Sequence, residues 1–181
     1  MKKRLTEEGG SSMKKPQTLY FEDDGRTPNS CLPTLLYRGV RARAGITLVE
    51  TLEQLFREHD WPPQWRGGIY QYHHYHSRSH EALGVYQGAA TLRLGGENGD
   101  EIEVSAGDVI VLPAGTGHCL ISAGNDFAVT AAYPSDQQQW DLCVSGESDI
   151  DRSRAQIQAL ARPELDPVEG DRGGVVTDWE A

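Results

Sequence analysis

Four of the chain's six histidines, His73, His74, His76 and His80, fall within eight residues and stand directly in front of Glu81; a fifth, His118, recurs in a second short block. Imidazole is the commonest metal ligand among side chains, and a carboxylate is its usual companion around borderline divalent ions. The cluster therefore points first to metal chemistry. Neither a Ser-His-Asp nor a Cys-His arrangement competes with it. Cys31, Cys119 and Cys143 are odd in number and lack CxxC spacing, so neither a disulfide framework nor a thiolate zinc site is expected. Cys119, adjacent to His118 but facing the other way, reads as a buried thiol in the core.

Strand alternation sorts the histidines, because only residues two apart share a face. His74 and His76 share one, with Tyr70 and Tyr72 as the wall beside them, and His73 lies opposite. On the next run Glu81 goes with Leu83 and Val85, while His80 goes with Ala82, Gly84 and Tyr86. The Leu/Val side resembles the inside of a small barrel, which favours Glu81 over His80 as a ligand. His118 shares its face with Leu120 and Ser122.

The elements that must position these groups are mostly strands. QTLYFE (17–22) and PTLLYRGV (33–40) read as strands, and from 68 to 133 seven short β-runs follow: IYQYHHYH, EALGVYQ, AATLRL, EIEVS, DVIVL, HCLIS and FAVTAAY. Close-spaced short strands are the pattern of a sandwich or barrel. Asn98-Gly99 is a hairpin signal, and Leu112-Pro113-Ala114-Gly115-Thr116-Gly117 is a second tight reversal. One helix, about 48–59, opens on the capping box Thr47–Glu50 and carries Leu48, Val49, Leu52, Leu55 and Phe56 on one face. It should pack outside the sheet. A second helix is predicted over 150–162, ended by Pro163, with a terminal strand at VVTDW.

With 181 residues the chain is expected to form one domain over 17–145, its metal-binding core at 68–133. Residues 1–16 read as a disordered extension, and 146–181 as a helix and tail packed on the barrel. The net charge of -10 argues against a nucleic-acid or anionic-membrane partner. No membrane span or signal-peptide core is apparent, so a cytoplasmic protein is expected. Arg38, Arg41 and Arg43 could bring positive charge to a mouth, although a solvated segment before the helix explains them better.

These residues resemble the cupin superfamily. Its first motif, G-x5-H-x-H-x4-E-x6-G, is met at Gly68, His74, His76, Glu81 and Gly88; its second, G-x5-P-x-G-x2-H-x3-N, at Gly107, Pro113, Gly115 and His118, with Ser122 in place of Asn. More loosely, RARAGITLVETLEQLF, WPPQWRGGIYQYHHYHS and LPAGTGH are similar to the YjlB-type group of bacterial cupins. The resemblance implies an all-β double-stranded β-helix, or jelly-roll, barrel with one N-terminal and one C-terminal helix outside. It also implies His74, His76, Glu81 and His118 as ligands to one divalent metal ion per chain, and a homodimer is common in the family.

Mixed N/O ligation suits Fe, Mn, Ni, Co or Zn, since availability and geometry decide among them more than ligand type, and Fe or Mn is the favoured expectation. Three imidazoles and a carboxylate leave positions open on an octahedral ion, the mark of a working site rather than a structural one. A dioxygenase-type oxidoreductase acting on a chelated small molecule is the favoured function; a non-catalytic sensor or carrier, or a metal-dependent isomerase or lyase, are the alternatives. If a proton must move, Tyr70, Tyr72 and His80 are the nearby catalytic candidates.

Overall fold

The computed structural model describes residues 14–180. In chain order the elements are β1 (Gln17–Phe21), β2 (Ser30–Tyr37), α1 (Leu48–Glu58), β3 (Pro63–Gly67), β4 (His74–Tyr75), β5 (Glu81–Gln87), β6 (Ala89–Leu94), β7 (Asp100–Ser105), β8 (Val109–Leu112), β9 (His118–Ala123), β10 (Ala128–Ala132), β11 (Cys143–Val144), α2 (Ile150–Ala159) and α3 (Gly174–Thr177). The strands form two antiparallel sheets, one ordered β1-β2-β8-β5-β10-β3 and the other β11-β4-β9-β6-β7. The result is the expected small double-stranded β-helix with helices outside. No helix among the described residues is long and apolar enough to cross a membrane.

Alternation along β5 and β8 divides the apolar residues between two layers. Leu83, Val85, Ile110 and Leu112 join Leu92, Leu94 and Val129 between the sheets. Ala82, Val109 and Val111 face outward into a second cluster with Leu52, Phe56, Trp61, Val175 and Trp179. Strands covered on both faces read as continuous apolar runs, which is why VIVL shows no polar residue.

Helix α1 forms as its sequence predicts: Thr47 accepts from the Glu50 backbone N–H, and the Glu50 side chain returns to the Thr47 N–H. Its buried stripe lies across Gly84, where a β-carbon would come within 3.1 Å of the Phe56 ring. Glycine thus lets the helix approach. Glu53, on the same helix, accepts two hydrogen bonds from Arg66 and one from Thr130, tying α1 to β3 and β10.

Several boundaries differ from the sequence-based expectations. Of IYQYHHYH only His74–Tyr75 is strand; residues 68–73 run irregularly toward the barrel mouth. The missing strand is β3, whose Pro63 is tolerated because β3 is an edge strand and needs no ladder N–H there. The 33–40 strand lies at Ser30–Tyr37, and the second helix stops at Ala159. VVTDW is not a strand: Gly174–Thr177 is a short helix whose Val175 is buried against the six-stranded sheet. The disorder expected for 1–16 falls outside the described residues, except for 14–16, which have no regular structure.

The tail is held by a buried carboxylate. Asp166 is fully buried and accepts from the Tyr37 hydroxyl and from the backbone N–H groups of Val168, Glu169 and Val175. Asp166→Asn places an amide against these donors, and should cost about 2 kcal/mol in denaturant unfolding. A midpoint equal to wild type would mean the tail contributes nothing to the cooperative unit.

Candidate metal centre

Three strands, β4, β5 and β9, bring the motif residues together. His74 opens β4 and pairs across the sheet with His118, the first residue of β9; Glu81 opens β5 on the facing sheet. His76 follows β4, and its carbonyl accepts from the Gly115 N–H at 2.7 Å. The Pro-x-Gly turn of the second motif therefore clamps the strand end that carries the first. Gly115 makes this turn with a φ of +94°, a conformation glycine adopts without steric cost.

His74, His76, Glu81 and His118 are all buried. One Glu81 oxygen, Oε2, lies 3.3 Å from Nε2 of His76 and 3.3 Å from Nε2 of His118. Candidate ligand atoms of these three residues lie within 4.8 Å of one another. His74 stands just outside that triad, its ring 4.1 Å from that of His118, and lines the same cavity.

Each imidazole is oriented from behind. Nδ1 of His74 meets the Tyr72 carbonyl at 2.8 Å, Nδ1 of His118 meets the Thr116 carbonyl at 3.1 Å, and Nδ1 of His76 meets the Asp141 carbonyl. A carbonyl can only accept, so each Nδ1 carries a proton, and in the neutral form of the ring Nε2 presents a lone pair to the centre. The carboxylate is fixed in the same way: the Tyr133 hydroxyl donates to Glu81 Oε1 at 2.7 Å, and Trp65 Nε1 donates to the Tyr133 oxygen at 2.8 Å. Oε2 is left buried with no hydrogen-bond donor among the described residues.

The electrostatics follow from this crowding of lone pairs. Burial alone would keep His76 neutral, but the Glu81 carboxylate and the Asp141 carbonyl outweigh it and raise its pKa. Burial likewise works against the Glu81 charge, and the neighbouring His76 and His118 overcome it, holding the carboxyl well below its ordinary range. His74, desolvated and beside His118, is pushed down to about 3. Desolvation and the Glu81 charge keep the Tyr133 hydroxyl protonated, as its donated hydrogen bond requires.

Three residues proposed for proton transfer are placed differently. Tyr70 lines the cavity mouth, half-exposed, with its ring edge toward His74. Tyr72 stacks on Tyr70 at 4.9 Å but lines a separate surface pocket beside His73; because 68–73 are not a strand, alternation does not bring it inward. His80 is on the far side of β5, where its Nδ1 accepts from the Ala114 N–H and its ring packs on Trp179. It faces a groove of about 1090 Å³ on the outer face of the barrel. That groove is larger than the lumen but holds no cluster of ligand-type groups among the described residues.

Arg38 binds Asp108 and Arg43 binds Glu58, and neither these nor Arg41 reaches the lumen. Ser122, in the position of the motif's Asn, is exposed near the far end of β9.

Two contributors escaped the sequence reading. Tyr133 follows β10 on the same face as Val129 and Ala131, a parity that could have flagged it. Asp141 lies in a loop, and its carboxylate accepts from the Ser77 and Arg78 N–H groups and from the Ser77 hydroxyl, while its carbonyl aims His76.

The lumen itself has a volume of about 540 Å³ and is bounded by Trp65, Ile69, Leu83, Tyr133, Trp140 and Leu142 around the histidines.

Comparison with known proteins places these features. The cupin domain model matches residues 61–132. The chain is 35% identical over 164 residues to the uncharacterized protein YjlB of Bacillus subtilis (strain 168), covering 90% of this chain and 96% of that protein. Among solved structures it aligns with a double-stranded β-helix protein from Klebsiella pneumoniae subsp. pneumoniae MGH 78578 at 15% identity and a TM-score of 0.33, over 74% of this chain and 89% of that one. It also aligns with procruciferin, an 11S globulin from Brassica napus, at 20% identity and a TM-score of 0.35, over 44% of this chain but only 22% of that longer one.

Proposed function

The chain is a single-domain cupin of the YjlB type, and from that premise we propose that His74, His76, Glu81 and His118 hold one divalent metal ion per chain, iron or manganese first. We propose further that the protein is a mononuclear metal-dependent enzyme of the oxygenase kind, acting on a small molecule brought to that ion.

The observation that carries the metal reading is the orphaned Glu81 Oε2, buried between Nε2 atoms that have only lone pairs to offer. Lone pairs turned toward one another repel unless a cation lies among them. Without a metal, a second proton on His76 is the available substitute. A divalent ion would take its place, as expected where ligation and protonation compete for one imidazole.

Such an ion supplies Lewis acidity, and iron or manganese also supplies the redox chemistry of dioxygen activation. The chain's own residues do the rest. Trp65 and Tyr133 hold the carboxylate so that one oxygen faces the centre, the backbone carbonyls fix the three ring orientations, and the aromatic lining excludes water. Apart from the ligands and the Tyr133 hydroxyl, already committed to Glu81, the lining offers, among the described residues, only Tyr70 at the mouth as a titratable group. Isomerase, lyase or hydrolase chemistry needs a positioned base, so this lining favours oxygenase chemistry, or simple carriage of a chelated molecule, over those reactions.

Elemental analysis of untagged protein, as purified and after anaerobic Fe(II) or Mn(II) loading, tests the metal. About one equivalent per chain is expected, and substoichiometric metal in every preparation would remove the reading. Oxygen uptake with a panel of small phenolic, thiol and keto-acid substrates then separates enzyme from carrier; indistinguishable traces from wild type and His76→Ala throughout would leave only the carrier.

Asp141 makes a narrower prediction. Its carboxylate fixes the turn at Ser77 while its carbonyl aims His76, so Asp141→Ala should weaken metal binding about tenfold, the usual scale for losing a group behind a ligand. Competition with a chromophoric chelator measures it, and unchanged affinity would assign Asp141 to packing alone.

A further inference from the structure

Resting on the metal reading, we infer that the lumen selects a flat aromatic ligand whose only charged or strongly polar part is a pair of neighbouring oxygens that reach the metal. Among the described residues the lining carries no lysine or arginine, and Glu81 is its one carboxylate. Phosphate or a dicarboxylate would lose its hydration there without gaining a cationic partner beyond the ion itself. Such uncompensated burial of charge is costly. Arg66, adjacent in sequence to the lining residues Trp65 and Gly67, cannot help, since it is held by Glu53. The chain's net charge of -10 adds a general bias against polyanions.

The aromatic groups are arranged to receive a ring. Trp140 stacks on Tyr133 with centroids 5.3 Å apart and planes 15° from parallel, and it meets the His76 ring edge-on at 5.4 Å. Tyr70 takes the corresponding place beside His74, edge-on at 5.4 Å. His76 and His74 thus each carry an aromatic neighbour. Three of these mouth residues are exposed although apolar: Tyr70 at 55%, Leu142 at 41% and Trp140 at 37%. Apolar groups grouped at the rim of a concave site are where a ligand recovers burial. A ring seated there gains both buried area and stacking.

The test uses 4-nitrocatechol, whose absorbance changes on chelation, with inorganic phosphate and succinate as anionic probes. Metal-loaded full-length protein is titrated with each, by absorbance and calorimetry, and metal content is measured on the same samples. 4-Nitrocatechol is expected to bind at least about a hundredfold more tightly than either anion. Trp140→Ala should weaken it about tenfold, and Trp140→Phe should restore most of the loss, as expected for a stacking contact. Metal-replete protein that binds phosphate or succinate as tightly overturns the ligand class while leaving the metal reading standing. The same holds if Trp140→Ala binds like wild type at equal metal content. Samples that take up no metal overturn both.

Discussion

Glu81→Gln is expected to reduce divalent-metal affinity at least about a hundredfold while leaving the metal-free protein no less stable than wild type. The two effects share one cause. Glu81 is the single negative group in the lumen, and its Oε2 stands within 3.3 Å of two imidazole nitrogens. With it gone, three neutral nitrogens would hold a dication with no compensating charge and one ligand fewer. In the metal-free state the same carboxylate is a burden. Its burial must be offset by a proton on His76, and exchanging a buried ion pair for a neutral pair of similar shape is often neutral or stabilising. The glutamine keeps an oxygen for the Tyr133 hydroxyl at the Oε1 position, so the Trp65–Tyr133 arrangement can persist. Metal titration and urea unfolding in chelator provide the readouts. A variant that binds metal normally would place the ion elsewhere, and a large loss of metal-free stability would make Glu81 a structural residue.

Much of this cluster is legible in the sequence because the residues it gathers obey short-range rules. Glu81 was separated from His80 by parity alone, and β5 is a regular strand, so parity held: Leu83 and Val85 do face the core with it. His74 and His76 were paired correctly although only His74–Tyr75 is strand, because the extended backbone continues just far enough. Carried back to Tyr72, the same rule failed where the chain leaves the sheet. What positions the ligands was harder to read. Asp141 acts on His76 from 65 positions away through a backbone carbonyl, a group every residue has. The tail was misread for a related reason: VVTDW has strand propensity, but Val175 and Trp179 are recruited by the outer face of the sheet, and burial decided the conformation.

His80, though it does not line the lumen, supplies the second large effect: wild type should lose roughly 3 kcal/mol more than His80→Asn on acidification from pH 7 to pH 4. Burial lowers the His80 pKa to about 4, opposed only weakly by the Ala161 carbonyl. Among the described residues no charged side chain hydrogen-bonds or ion-pairs with the ring, which packs on Trp179 and accepts from the Ala114 N–H. The unfolded chain holds a histidine of pKa about 6.5. Between these two values the unfolded state binds the extra proton, so stability falls as pH falls through this window and the loss is complete below the folded pKa. At about 1.4 kcal/mol per pKa unit, the gap of about 2.5 units gives the magnitude. His74, held at about 3, adds a slope of the same sign in metal-free protein, so the difference between the two proteins isolates His80. Asparagine retains an acceptor for the Ala114 N–H and removes the titration. Denaturant unfolding in chelator at intervals across that range gives the comparison. Parallel stability curves for the two proteins would mean that the ring is charged in the fold at no cost, and that the groove beside it admits water or a counter-charge.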